Sequence, residues 1–317
     1  MKILITGVAG FIGTNIALHL LKKNNFIFGI DNFDNYNSIK LKKFRLKELN
    51  KNKKFSFKKI DILDKKKLFN YIYLNKIDII IHLAGQAGVR YSFVNPSKYI
   101  DSNIAGFMNV VLGARQHKVK KIIYASSSSV YGDNKKFPSN EKDKLNQKNI
   151  YAVTKMLNEK IAEMYSKISK IKFIGLRFFT IYGEYGRPDM FLFKLFKASF
   201  SKENFELNNH GNHMRDFTYI QDVNSIVEKL IKINSSKNIV VNVCSNNPVN
   251  ILKIVKKFTD KIYVKVKYVK KHKADILKTH GNNSKIKKLT KYKKFYNFNE
   301  KLFFIYDWYK KNKIYKL

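Results

Sequence analysis

Short runs of β-branched and aromatic residues recur through the first half of the chain, each followed by a segment whose apolar residues repeat every three to four positions. Strands are predicted at 2–6 (KILIT), 26–30 (FIFGI), 55–60, 78–83 (DIIIHL), 120–125 (KIIYA) and 172–177 (KFIGLR). These runs are short and bounded by turn residues, as strands are. Between them the spacing predicts helices over 11–23, 37–50, 64–75, 95–117 and 148–168. Strands that alternate with helices connect by right-handed crossovers, which predicts an α/β fold with a doubly wound parallel (Rossmann) sheet and ligands at the strands' carboxyl ends. Beyond residue 180 the alternation fades, and helical runs near 188–200, 221–234, 249–258 and 298–312 have only short strand candidates between them. The expected division is a Rossmann domain over 1–180 and a smaller C-terminal substrate-binding lobe over 181–317, with some segments of the lobe interleaved with the sheet.

Composition narrows the class. The 317 residues are 44% hydrophobic, enough for a large core. A single cysteine, Cys244, excludes an intramolecular disulfide and fits a reducing compartment. The opening MKILITGVAGFIG is broken by glycines at 7, 10 and 13, and no later stretch has the ~18 apolar residues of a membrane span. A cytoplasmic protein without a membrane partner is expected. The formal net charge of +40 raises nucleic-acid binding as a function. The basic residues are nearly all Lys spread along the chain beside abundant Asn and Ile, as AT-biased coding produces, so no nucleic-acid partner is expected. Only six Arg occur, and Arg90, Arg177, Arg187 and Arg215 lie in the motif-like stretches below, where a planar fork suits phosphate or carboxylate.

Gly7-Val-Ala-Gly10-Phe11-Ile12-Gly13 directly follows the first strand and opens a helix. Glycines there let the backbone turn tightly and approach a pyrophosphate at the helix N-terminus. Asp31 ends the second strand 18 residues beyond Gly13, where a carboxylate accepts from both ribose hydroxyls and repels a 2′-phosphate; the cofactor is therefore read as NAD rather than NADP. Asp61, followed by Ile62, either faces the adenine or caps a helix. The small-residue run Leu83-Ala84-Gly85-Gln86-Ala87-Gly88 after the fourth strand would line the cofactor through its backbone. Tyr151 and Lys155 are four apart in a predicted helix and share a face. A neighbouring ammonium favours the phenolate, which makes Tyr151 a candidate base. No metal is expected.

These features together resemble the extended short-chain dehydrogenase/reductases of the NAD-dependent epimerase/dehydratase group. That family carries GxxGxxG, an acidic residue after strand two, a Ser/Thr three residues before VYG, and YxxxK. Here these are Gly7/Gly10/Gly13, Asp31, Ser127 and Tyr151/Lys155, and the likeness runs nearly end to end. It implies that the first domain binds NAD, that the lobe binds a nucleotide sugar, and that Ser127 shares its hydroxyl with the substrate O4 and Tyr151. The stretches HLAGQAGVRYS (82–92), NPSKYIDSNIAGF (95–107), RFFTIYGEYGRPDM (177–190) and MRDFTYIQDV (214–223) are similar to the UDP-glucuronate 4-epimerase branch.

The resemblance implies that Tyr151 takes the O4 proton while C4 gives hydride to NAD, and that hydride then returns to the other face of the 4-keto sugar. For a uronic acid this intermediate is a β-keto acid, which loses CO2 unless its carboxylate is held out of alignment. Ser128, Ser129 and Thr180 are assigned that grip; the alternative is that they cap or turn the backbone. The same resemblance pairs Arg215 with phosphate and Asp275 with a ribose hydroxyl. Arg90 and Arg187 approach the sugar or diphosphate or else form structural salt bridges. Two departures stand out: His272 replaces the Arg usual three residues before Asp275, and Glu184-Tyr185 replaces the Pro-Trp usual before GRPDM. In this family the helices at 95–117 and 148–168 form a four-helix dimer interface, so a homodimer is expected. The enzymatic alternatives are a 4-epimerase of UDP-glucose or a UDP-N-acetylhexosamine, or a UDP-glucuronate decarboxylase. An inactive dinucleotide sensor or a nucleic-acid binder would lack a use for the intact Ser127/Tyr151/Lys155 set.

Overall fold

The computed structural model describes residues 1–201, 203–234, 238–271 and 275–317. Six strands of its main sheet arise where the apolar runs are: β1 (Lys2–Thr6), β2 (Phe26–Asp31), β3 (Phe55–Lys59), β4 (Ile79–His82), β5 (Lys121–Ser127) and β6 (Lys172–Phe178). Helices α1 (Phe11–Lys22), α2 (Ile39–Leu49) and α3 (Lys65–Asn75) follow the first three strands. The central strands are buried on both faces, as a parallel sheet requires. Successive residues of β1 divide between two cores: Ile3 and Ile5 pack in one layer and Leu4 in the other, the consequence of a two-residue side-chain period.

After β7 (Thr180–Tyr182), β8 (Phe205–Asn208) and β9 (Met214–Tyr219), a strand from the lobe returns to the main sheet. This is β10 (Asn238–Val243), which pairs parallel with β6 so that Val243 lies opposite Phe178. The sheet thus has seven strands in the order β10-β6-β5-β4-β1-β2-β3. The preceding helix Ile220–Lys232 packs on α1 and serves as the crossover that carries the chain back across the sheet. The NIVVNV run has too short an apolar stretch to announce this on its own. β11 (Pro248–Asn250) joins β9 and β7, while β12 (Val266–Val269) pairs with β8.

The segment expected as one helix over 95–117 is divided into a turn Pro96–Tyr99, a π-helical stretch Ile100–Ala105 and an α-helix Gly106–Gln116. A wide π turn inside a helix commonly marks a functional site. The seven-residue helix Ser284–Thr290 was not expected, because SKIKKLT is too short and lysine-rich for a periodic signal. The order of strands reverses between β1 and β4, where Thr6 lies opposite His82. A crevice opens there beyond the carboxyl ends.

Candidate active site

One cavity of ≈ 970 Å³ runs along this edge, from Asp31 at one end to Arg215 and Asp275 at the other. Its floor is made by strand ends: Gly7 follows β1, Asp31 ends β2, Leu83 follows β4, Ser127 ends β5 and Thr180 begins β7.

The glycine turn has no room for side chains. Gly7 has φ +68°, and a Cβ on it would stand 2.8 Å from the Ala84 nitrogen. A Cβ on Gly13 would stand 2.4 Å from the Gly7 carbonyl oxygen. Gly10 caps α1 without a side-chain hydrogen bond, so backbone N–H groups at the helix start remain available to an anion. Phe11, Ile12, Leu83, Ala84 and Gln86 all line the cavity. Asp31 is 6% exposed, and its Oδ1 accepts from Phe33 N at 2.8 Å and Lys42 Nζ at 3.1 Å. Oδ2 meets no donor among the described residues. A pyrophosphate-sized cradle, a carboxylate with a free oxygen and a small-residue wall fit a bound NAD.

Asp61 departs from one of its two sequence readings, the helix cap, and sits beside the cavity wall at the adenine end. It does not line the cavity, whose wall is made there by Ile60 and Ile62. Its carboxylate accepts from Leu63 N at 2.9 Å and from Asn32 Nδ2 at 2.9 Å, and the cap of α3 is Asp64. Asn103, by contrast, was missed. Buried in the π turn, its Oδ1 accepts from Gln86 N at 2.7 Å, while Nδ2 donates to Gln86 O at 3.1 Å and Thr154 Oγ1 at 3.0 Å. It ties the cofactor-side wall to the helix Ile150–Ile168. A lone Asn on an otherwise apolar helical face was the available signal.

Asn149 caps that helix by accepting from Ala152 N at 2.9 Å, which fixes where Tyr151 and Lys155 fall. Both line the cavity. Lys155 is 5% exposed, makes no hydrogen bond or ion pair among the described residues, and lies 5.9 Å from the Tyr151 ring centre. Burial pushes its ammonium down to about 8. Burial raises the Tyr151 phenol, while a hydrogen bond with Ser127 and the Arg187 guanidinium act to lower it.

The serine run divides by strand geometry. Ser126 and Ser127 are successive residues of β5 and so face opposite sides. Ser126 turns to the same helix two turns beyond Tyr151 and donates to Glu159 Oε1 at 2.6 Å. Arg177 on β6 grips the same carboxylate, Nε to Oε1 at 2.9 Å and Nη2 to Oε2 at 2.7 Å. This buried group pins β5 and β6 to the helix one turn beyond Lys155, so Arg177 is a strut. Ser127 Oγ donates to Ser129 Oγ at 3.1 Å and accepts from Ser129 N at 3.1 Å. Ser128 and Ser129 begin a 3-10 turn, Ser128–Tyr131, and with Thr180 they line the cavity beside Tyr151.

At the far end, Arg187 and Arg215 also line the cavity, but both are engaged. Arg187 forks onto Asp189 at 2.9 and 2.7 Å. Arg215 donates to the carbonyls of Met214 at 2.9 Å, Leu277 at 3.2 Å and Ile276 at 2.6 Å, and burial lowers its guanidinium to about 10. Arg90 and Asp275 form an ion pair at 2.8 Å across the cavity mouth. His272 lies outside the described residues. In the altered loop, Glu184 accepts from Tyr219 OH at 2.7 Å. Arg45 of α2 donates to Tyr185 O at 2.6 Å and Gly186 O at 3.0 Å. Buried cation-to-carbonyl bonds fasten this loop without the usual Pro-Trp.

Among the described residues no group of three His, Cys, Asp or Glu could hold a metal ion, and no helix is long and apolar enough to cross a membrane. A glycine cradle, a carboxylate-tipped second strand and a tyrosine–lysine face beside a strand-end serine define a dinucleotide-dependent redox site on a Rossmann sheet. The chain belongs to the NAD dependent epimerase/dehydratase family, whose profile matches residues 3–244. Protein CapI of Staphylococcus aureus is 40% identical over 308 residues, 89% of this chain and 90% of its own. A probable UDP-glucuronate 4-epimerase of Rhizobium meliloti (strain 1021) is 38% identical over 234 residues, 74% of this chain and 68% of that protein. The crystal structure of UDP-glucuronic acid 4-epimerase from Bacillus cereus, in complex with UDP-glucuronic acid and NAD, matches with a TM-score of 0.91 at 30% identity, covering 98% of this chain and 99% of that one.

Proposed function

We propose that this chain is an NAD-dependent 4-epimerase that interconverts UDP-glucuronate and UDP-galacturonate. The observation that carries the reading is that Ser127, Tyr151 and Lys155 line the same cavity as a second set of hydroxyls, those of Ser128, Ser129 and Thr180. The chemistry that NAD supplies when bound is reversible acceptance of hydride from C4 of the sugar. Tyr151 removes the O4 proton and returns it after the ring has turned over. Ser127 carries the hydrogen bond between O4 and the phenol, and Lys155 stabilises the phenolate by its charge. Hydroxyl donors can hold a carboxylate without placing a strong cation beside Tyr151. Ser128, Ser129 and Thr180 thereby keep the β-keto acid's C–CO2 bond out of line with the carbonyl.

In this reading residues 1–180 bind NAD, and residues 181–317 mainly bind the nucleotide sugar. Arg215, Asp275, Arg90 and Arg187 receive the UDP portion, which requires the Arg90–Asp275 and Arg187–Asp189 pairs to exchange partners on binding. The protein works in the cytoplasm as a homodimer. Support for the dimer is the stripe of Met164 and Ile168, 56% and 58% exposed, on the helix whose other face covers the sheet. Incubation with UDP-glucuronate and analysis of the product test the activity. A galacturonate-configured product is expected. Release of CO2 with a pentose, or turnover of UDP-glucose instead, would overturn the reading.

A further inference from the structure

The mechanism leaves one buried ion pair at the cofactor end without a use. Lys42 in the first turn of α2 is 8% exposed, lines the cavity, and its Nζ lies 3.1 Å from Asp31 Oδ1. That oxygen also accepts from Phe33 N at 2.8 Å, so one side of the carboxylate is saturated, while Oδ2 meets no donor among the described residues and the residue lines the cavity. A second cation near it is Arg45, one turn further along α2, which the Asp31 carboxylate also influences. Its guanidinium is committed to the carbonyls of Ala9, Tyr185 and Gly186. Lys42 makes a single hydrogen bond among the described residues, which leaves two of its three N–H donors.

We propose that Lys42 is a specificity-determining residue of the adenosine-ribose subsite: it fixes Asp31 so that one oxygen is presented to the ribose hydroxyls, and it is a cation already positioned for a 2′-phosphate that Asp31 alone repels. A bare carboxylate at the end of the second strand would exclude a 2′-phosphate by charge. Here the ammonium sits beside that carboxylate in a mostly desolvated wall, where charge–phosphate hydrogen bonds are strong. Discrimination against NADP therefore rests on one residue, and removing the Asp31 charge releases Lys42 to the phosphate.

The test is calorimetric titration of cofactor-stripped protein with NAD and with NADP, for the wild type, Asp31→Ser, Lys42→Met, and the double variants Asp31→Ser/Lys42→Met and Asp31→Ser/Lys42→Arg. Asp31→Ser is expected to bind NADP about tenfold more tightly than the wild type, the scale of one hydrogen bond to a charged group. That gain disappears in Asp31→Ser/Lys42→Met and is retained in Asp31→Ser/Lys42→Arg. Lys42→Met alone is expected to lower affinity for NADP more than for NAD. Equal NADP affinity in Asp31→Ser and Asp31→Ser/Lys42→Met would overturn the proposal. If the Asp31 variants do not fold, the single Lys42→Met titration decides: an unchanged ratio of NAD to NADP affinity overturns it too. No sugar nucleotide enters these measurements, so their failure is separate from failure of the 4-epimerase reading.

Discussion

Lys155 should cost the protein stability, because its ammonium is buried without a partner among the described residues. Its folded value of about 8, against an ordinary 10.5, corresponds to a penalty of about 3 kcal/mol on the charged form at about 1.4 kcal/mol per tenfold change in proton affinity. Below pH 8 both folded and unfolded chains carry the proton, and the folded state bears the whole penalty. Between about 8 and 10.5 the folded state has released the proton while the unfolded state retains it, so this site's contribution to stability rises with pH. Above 10.5 both states are neutral and the penalty is gone. Lys155→Met keeps the aliphatic stem and removes the charge. In cofactor-stripped protein at pH 7, the variant is expected to unfold roughly 5 °C or more above the wild type, and to have lost turnover. The gap should narrow as pH rises from 8 towards 10. Circular dichroism melts across that range measure it. An unchanged or lowered Tm at pH 7, or a gap that does not shrink with pH, would refute the reasoning.

Arg177→Leu strands the Glu159 carboxylate in the core with Ser126 as its remaining side-chain donor, and should destabilise by about 3–5 kcal/mol. Adding Glu159→Gln should recover part of that loss in the same melts, and no recovery would argue against a stranded charge. Thr180→Val, if the hydroxyl holds the uronate carboxylate, should weaken UDP-glucuronate binding or release pentose in product analysis; unchanged epimerisation would remove Thr180 from the grip. Met164→Glu places a charge in the exposed apolar stripe and should convert a dimer to monomer in light scattering behind size exclusion. A wild type already monomeric at micromolar concentration would refute the interface.

Much of the fold was legible because its signals are local. Each sheet strand before residue 180 except β3 (FSFKK) is built on an apolar run, and helical periods lie between the strands. The glycine turn, Asp31 and the Tyr151/Lys155 pair were legible for the same reason: each is a spacing rule within one or two consecutive elements. β10 was not, because NIVVNV becomes a sheet strand only when the helix Ile220–Lys232 packs on α1 and delivers it beside β6. The π stretch at Ile100–Ala105 was not legible either, since helical periodicity does not separate a wide turn from a regular one.

The sequence by itself determined the class of sheet, the cofactor cradle and the residues of the tyrosine–lysine face, since backbone period and short-range spacing specify them. Tertiary structure alone decided which polar side chains are braced and which are left to the cavity. It turned Ser126 and Arg177 towards Glu159, Arg215 towards three carbonyls, Arg90 towards Asp275 and Asp61 towards Asn32, and it brought Lys42 to Asp31. The physical reason is that a buried polar group must find a partner. Those partners lie as far as 185 residues away in sequence, where no local pattern can name them.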